Sequence, residues 1–510
     1  MKLPRSSGIL LHPTALPGPH GIGSLGSEAR GFVDFLAAAG QSIWQTLPLG
    51  PTGFGDSPYN ALSAFAGNPL LLDLPTLLDQ GDLDPADLEG VPSPAGPVDF
   101  PGLRRGKEAC LARAAANFPA RADDVRRAEF AGYCREQAGW LDDYALFAAL
   151  RQHFHGSSWQ QWPASLRQRD PSALAEWRGR LSAAIAAEQY LQYNFSLQWA
   201  ALKDYANRRG IRIFGDLPIF VALDSVDVWS RQQLFRLDPQ GHPAVVAGVP
   251  PDYFSVTGQL WGNPLYRWEA HEASNFSWWR ERFRHELRRA DLVRIDHFRG
   301  FQACWAVPAG EATAVNGLWE ETPGRALFAA LRADHATLPI VAEDLGVITP
   351  AVEALRVECG FPGMKILQFA FDSGPGNPYL PHNYTSDCVV YTGTHDNATT
   401  RGWWESLDQT QRARVDNYLA KADPDIPWEL IRLAMASVAH LCIVPCQDLL
   451  GLGEAARFNR PGQATGNWCW RLAPGQLTPA LAGKLHALTE TYGRRPRTDP
   501  PLVTLHETVL

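Results

Sequence analysis

Eight short apolar, β-prone runs punctuate the chain, each giving way to a polar or turn-forming stretch, and this pattern restricts the fold more than any other feature. They are GILLHPTAL (8–16), SIWQTLPLG (42–50), IRIFGDLPIF (211–220), DLVRIDHF (291–298), PIVAEDLG (339–346), GMKILQFAF (363–371), CVVYTGTHD (388–396) and LCIVPCQDLL (441–450). Helix-like segments lie between several of them. Ser27 to Gly40 carries Phe32, Phe35 and Leu36 at helical spacing, with Gly40 as the stop, and Thr349 and Pro350 start a helix that runs to Gly360. Strands alternating with helices imply a parallel sheet, and eight such units imply a closed (β/α)₈ barrel. The rival is a doubly wound open sheet, which usually carries a Gly-rich phosphate turn after its first strand. GIGSLG (21–26) lies well beyond the first run and lacks an acidic partner at the right distance, so it reads poorly as a nucleotide site.

Uneven spacing places insertions on the βα side of this barrel. About 160 residues separate the second and third runs and about 70 the third and fourth. The first gap holds long helix-like stretches at 103–118, 123–155 and 172–209, which predicts a mainly helical insertion over about 60–205. A second insertion occupies about 221–290. The Pro-rich 84–102 stretch reads as a surface connection, and about 60 residues after the last run leave no room for a C-terminal β-sandwich. The expectation is one catalytic barrel over 1–510.

Composition excludes several function classes. A net charge of -8, with Lys and Arg scattered along the chain, gives no field to gather nucleic acid or an anionic membrane. The apolar stretch in MKLPRSSGILLHPTALPG breaks at His12 and Pro13, too soon for a signal peptide, and no window reaches the roughly 18 apolar residues of a membrane span. Eight dispersed cysteines read as reduced thiols in a cytoplasmic protein; Cys442 and Cys446 sit in a buried-strand pattern without further metal ligands nearby. Eighteen tryptophans are unusual, and either core packing or stacking on the apolar faces of sugars accounts for them.

Chemistry concentrates where runs end. Asp296 closes VRID, Glu343 sits in VAED and Asp396 closes TGTHD, all at the change from apolar to polar residues. A carboxylate there is poorly solvated and needs a partner or a task; helix capping or an ion pair is the bland alternative. Three together suit retaining glycoside cleavage, which takes one carboxylate as nucleophile and one protonated carboxyl as acid, roughly 5–5.5 Å apart. Asp296 and Glu343 fall on adjacent strands, and the charge of Asp296 is expected to raise the proton affinity of Glu343. Arg294, two residues before Asp296, faces the same side and holds it ionised. Asp216, His297 and His395 stand at other strand ends, suited to sugar hydroxyls.

VRIDHFRG (293–300), VAEDLG (341–346) and TGTHDN (392–397), in that order, resemble the α-amylase clan. More narrowly, LHPTALPGPHGIGSLG (11–26), GFGDSPYNALSAFAGNP (53–69), FGDLPIFV (214–221), GVPPDYFSVTGQLWGNP (248–264) and FDSGPGNPYLPHNY (371–384) resemble glycoside hydrolase family 77, the amylomaltases or disproportionating enzymes, and the match runs from about 8 to 470. The resemblance implies a retaining 4-α-glucanotransferase on a (β/α)₈ barrel, without cofactor, metal or separate C-terminal domain. Its donors and acceptors are implied to be maltooligosaccharides and other α-1,4-glucans, with glucose as acceptor or product. It implies Asp296 as nucleophile, Glu343 as acid/base and Asp396 as the residue that holds ring hydroxyls and distorts the sugar. Ser57, Tyr59, Asp216, Arg294, His297, His395 and Asn467 are implied to line subsites, and Trp261, in the 248–264 loop, to act as stacking platform and lid. Ala61, Leu62, Gly374 and Gly376 depart from the family pattern at subsite rims, where chain-length preference is set.

Two other readings use the same residues. Water in place of a 4-hydroxyl makes an α-1,4-glucan hydrolase, which a water-excluding lid disfavours. A non-catalytic glucan-binding protein keeps the cleft but predicts a replaced acid, and all three acids are present.

Overall fold

The structure, a computed structural model, describes residues 4–91, 96–251, 255–421 and 424–495. Its centre is a ring of eight parallel strands: β1 (Ser6–Leu10), β2 (Ile43–Gln45), β3 (Arg212–Pro218), β4 (Leu292–Asp296), β5 (Ile340–Ala342), β6 (Gly363–Ile366), β7 (Cys388–Tyr391) and β8 (Leu441–Pro445). Each lies inside one of the eight apolar runs except that β1 starts two residues early. The ladder runs β6-β7-β8-β1-β2-β3-β4-β5. Between β5 and β6 the ring closes by other means: Ala342 N donates to Pro362 O at 2.9 Å, and Met364 N donates to the Asp344 carboxylate at 2.6 Å. Strands sandwiched between barrel interior and helices have no wet face, so apolar runs rather than alternation encode them.

Local signals set the helix ends. Helix Ser27–Ala38 buries Phe32, Phe35 and Leu36, and the chain turns out of it at Gly40, whose φ of 69° suits glycine. Helix Pro350–Cys359 is capped by Thr349, whose hydroxyl accepts from Val352 N, and is ended by Gly360 at φ 63°. Between β2 and β3 the chain forms helices Ala109–Arg121, Asp124–His153, Pro171–Arg180 and Ser182–Arg208. Two glycines of GIGSLG serve packing: a side chain at Gly23 would lie 2.0 Å from the Pro13 carbonyl, and one at Gly26 would strike Asp73.

Two features depart from the sequence reading. The 84–102 stretch is not wholly superficial, because Val98 and Phe100 are buried and Val98 N donates to Cys469 O at 2.7 Å. A four-stranded antiparallel sheet also stands beside the barrel, joining Val245–Val249 and Gln259–Pro264 to Ala303–Pro308 and Leu318–Glu321. Its outer strands are largely exposed, so they lack the apolar signature that marks a core strand. Asp252, Tyr253 and Phe254 of the 248–264 loop lie outside the described residues, as do the Met1–Leu3 start and 92–95.

The tryptophans divide by burial. Trp44, Trp159, Trp229 and Trp279 are fully buried, whereas Trp261 is 37% exposed beside the cleft. All eight cysteines are unpaired, and no group of three or more metal-ligating side chains forms among the described residues. No helix among those residues is long and apolar enough to cross a membrane.

Candidate active site

The C-terminal ends of β3, β4 and β5 bring four ionisable groups to one point. Asp216 and Arg294 are direct partners across the β3–β4 ladder, so their side chains share a face. Arg294 is buried, and it spends one guanidinium nitrogen on Asp216 and the other on two carboxylates: Nη2 donates to Asp296 Oδ1 at 2.7 Å and to Glu343 Oε2 at 3.2 Å. Glu343 is knitted to β4 by its backbone as well, since Glu343 N donates to Ile295 O at 3.0 Å. Its Oε2 also accepts from His297 N at 2.6 Å. That bond requires His297 to turn sharply out of β4, at φ 53°, a left-handed conformation uncommon outside glycine.

Three carboxylates around one cation leave a surplus of negative charge, and burial amplifies it. Desolvation pushes the Asp296 carboxyl up to about 7, with Arg294 pulling the other way and Glu343 and Asp396 reinforcing the rise. Asp296 is thus raised first by its own burial and then by the two other acids that it faces. Asp216 is likewise pushed upward by burial against the pull of Arg294. Its Oδ2 accepts from the Tyr59 hydroxyl at 2.7 Å, and burial keeps that hydroxyl protonated and able to donate.

The end of β7 builds a different environment. Asp396 Oδ1 accepts from Asn459 Nδ2 at 2.6 Å and lies 3.3 Å from His395 Nε2. Burial opposes the charged carboxylate, but His395, Asn459 and Arg294 outweigh it and hold Asp396 down at about 2. The His395 ring lies parallel to Tyr59, with centroids 5.0 Å apart, so this wall of the cleft connects to the Asp216–Arg294 pair.

On the opposite side Trp261 stands edge-on to His297, with centroids 4.7 Å apart and an interplanar angle of 86°. Phe220 completes this corner at 6.3 Å from Trp261. Burial, with Arg299 nearby, pushes His297 down to about 3, so its ring is neutral at pH 7 and can hydrogen-bond a hydroxyl. Its Nε2 is buried with no hydrogen-bond partner among the described residues.

The expected residues therefore converge unequally. Asp216, Arg294, Asp296, Glu343, Tyr59, His395 and Asp396 form one connected network. His297 and Trp261 face it, and Ser57 supports Tyr59 by accepting from its backbone N–H at 3.2 Å. Asn467 stands apart: its Oδ1 accepts from Arg460 N at 2.9 Å and its Nδ2 donates to Gln463 O at 2.8 Å, so its amide is used to shape its own loop. Sequence reasoning passed over Asn459, Phe220 and Trp468. Asn459 and Trp468 follow the last strand, where no periodic pattern distinguishes a loop that returns to the cleft.

Known proteins are similar to this chain over most of its length. Residues 11–478 match the model of glycoside hydrolase family 77, described as 4-alpha-glucanotransferase. The 4-alpha-glucanotransferase of Synechocystis sp. is 53% identical over 496 residues, covering 96% of this chain and 98% of that protein. The enzyme of the same name from Thermus thermophilus is 50% identical, covering 97% and 100%. Among solved structures, an amylomaltase from Streptococcus agalactiae in complex with acarbose superposes with a TM-score of 0.93 at 40% identity, over 96% of this chain and 99% of that one. The chain belongs to glycoside hydrolase family 77, the 4-alpha-glucanotransferases.

Proposed function

We propose that this protein is a retaining 4-α-glucanotransferase that works through a covalent glycosyl-aspartate. The observation that carries the reading is the shared Arg294 Nη2, which Asp296 and Glu343 both reach. Two carboxylates on one nitrogen suit the roughly 5–5.5 Å of a retaining pair and fall short of the roughly 6.5–9.5 Å that an inverting enzyme needs to admit water.

Asp296 attacks the anomeric carbon of the donor while the bond to the leaving 4-oxygen breaks, and Glu343 gives that oxygen its proton. The chemistry requires a proton on Glu343 and none on Asp296 when the donor is bound. Once the sugar esterifies Asp296, its charge is gone. Glu343 then takes the proton of the acceptor's 4-hydroxyl as that oxygen displaces Asp296. Arg294 steadies the nucleophile, and Asp216 fixes Arg294. Asp396, ionised and with Oδ1 already tied, offers Oδ2 to ring hydroxyls and favours the flattened sugar of the transition state.

Tyr59, Ser57, His297 and His395 line the subsites, Asn467 shapes the loop beside them, and Trp261 is platform and part of a lid over 248–264. Donors and acceptors are maltooligosaccharides and related α-1,4-glucans, with glucose as the smallest acceptor. The chain reads as one catalytic barrel over 1–510 with a helical subdomain at about 60–205 and a second insertion at about 221–290. Eight unpaired cysteines support work in the reducing cytoplasm.

Incubation with maltotriose tests the reading. Free glucose together with longer maltooligosaccharides, at constant total reducing ends, is the expected result. Rising reducing ends without longer products would make the protein a hydrolase, and unchanged maltotriose would leave only glucan binding.

A further inference from the structure

The loop after β8 returns to the cleft and grips Asp396 from two directions. Asn459 Nδ2 donates to Asp396 Oδ1 at 2.6 Å, while Arg457 donates to the Asp396 carbonyl at 2.7 Å and to the Asn459 carbonyl at 2.7 Å. One guanidinium therefore ties the backbone of the acid to the backbone of the residue that bonds its side chain. Arg457 is steadied in turn by Glu454, 3.4 Å away, which also receives Arg460.

The other end of the loop packs beside the histidine that meets the same oxygen. Trp468 N donates to Phe458 O at 2.7 Å, closing the loop at its base. Trp468 adopts φ 65°, a left-handed conformation that an aromatic residue keeps only when its surroundings impose it. Its ring lies 5.9 Å from Tyr59 and 6.0 Å from His395, the histidine that contacts Asp396 Oδ1. Between these ends, Asn467 holds the loop's interior by its bonds to Arg460 and Gln463.

We propose that Asn459, set by Arg457, is a positioning residue for the glucanotransferase reaction: it fixes Asp396 so that Oδ1 is occupied and Oδ2 alone meets the sugar ring. This rests on the function proposed above. Rotation of an untethered carboxylate would offer the ring either oxygen in several orientations, and a contact needed mainly in the transition state is the one most damaged by such freedom. Asn459 thus acts on kcat through Asp396 without touching the reacting atoms.

The test compares Asn459→Ala and the isosteric Asn459→Asp with wild type and Glu343→Gln, on maltotriose and on α-maltotriosyl fluoride, with thermal melts to confirm folding. Fluoride leaves without a proton, so it bypasses the acid but not the need to hold the ring. Both Asn459 variants are expected to lose about 10- to 100-fold in kcat, the scale of one hydrogen bond to a charged group, with KM changed less than about threefold. Their loss is expected to persist in the initial burst of fluoride release, which reads the glycosylation step alone, whereas Glu343→Gln recovers that burst and then stalls for want of its base. A folded Asn459→Asp with wild-type kcat, an effect confined to KM, or recovery of the Asn459 variants on the fluoride would each overturn the assignment. A wild-type protein that forms no longer products from maltotriose would instead refute the underlying function.

Discussion

Asp296 and Asp396 are the same residue type at the ends of β4 and β7, yet the protein holds them in opposite electrostatic states. Asp296 is one of three carboxylates competing for a single buried arginine, and its carboxyl rises to about 7. Asp396 has His395, the Asn459 amide and a half-open position to itself, and falls to about 2. Supply of donors relative to charges, more than depth of burial, separates them. The first environment leaves an aspartate whose charge is poorly compensated, which suits the nucleophile's role proposed for it. The second keeps an aspartate ionised throughout.

The largest expected effect tests the division of labour. Asp296→Asn and Glu343→Gln are each expected to lower kcat on maltotriose by at least about 1,000-fold, measured by glucose release. With α-maltotriosyl fluoride only the glutamate variant recovers the glycosylation step, read as the initial burst of fluoride release, because its missing base still slows deglycosylation. Recovery of Asp296→Asn as well would mean that Asp296 is not the nucleophile.

Stability should move in opposite directions at the two sites. Asp296 binds its proton more tightly in the folded protein than the roughly 3.9 of an unfolded chain, so its favourable contribution is present below pH 4 and is lost as pH rises through about 7. Asp396 binds its proton less tightly when folded, so its contribution is present above pH 4 and is lost as pH falls through about 2. Asp296→Asn is therefore expected to raise Tm at pH 8, and Asp396→Asn to lower it at pH 7. Melts that shift the same way in both variants would break the comparison.

The pH profile sharpens it further. The nucleophile must be ionised in the free enzyme, so kcat/KM is expected to fall on the acid side near pH 7, above the ordinary carboxylate range. An acid limb near 4 would show that Asp296 is not raised in solution.

Smaller effects are expected at the rim. Trp261→Ala opens the corner over His297 and should raise the share of water among acceptors a few-fold, read as the ratio of new reducing ends to transferred sugar. Asn467→Ala should change KM a few-fold at most, because its amide is engaged within its own loop.

Most of the barrel was legible in the chain, and for a definite reason. Strands such as Leu292–Asp296 and Cys388–Tyr391 are covered on both faces, so they leave compact apolar runs ending abruptly in polar residues. The same abrupt endings exposed Asp296, Glu343 and Asp396. The antiparallel sheet escaped notice because Gln259–Pro264 fully buries only Pro264 and Leu318–Glu321 fully buries no residue, so neither leaves an apolar face to read. Asn459 escaped because its value lies wholly in a contact with a residue 63 positions away.

The sequence by itself determined the alternation that forms a barrel, the acids at its strand ends, the pairing of Arg294 with Asp296 through two-residue spacing, and the family. Those are local properties: periodicity, abrupt polarity and short motifs survive in one dimension. Only the tertiary structure decided that Asp296 and Glu343 share one guanidinium nitrogen with Asp216 behind it, and that the loop after β8 turns back to hold Asp396. It also decided which aspartate is raised and which is lowered, because a proton's affinity depends on the sum of burial, charges and donors around it, and that sum exists only once distant segments meet.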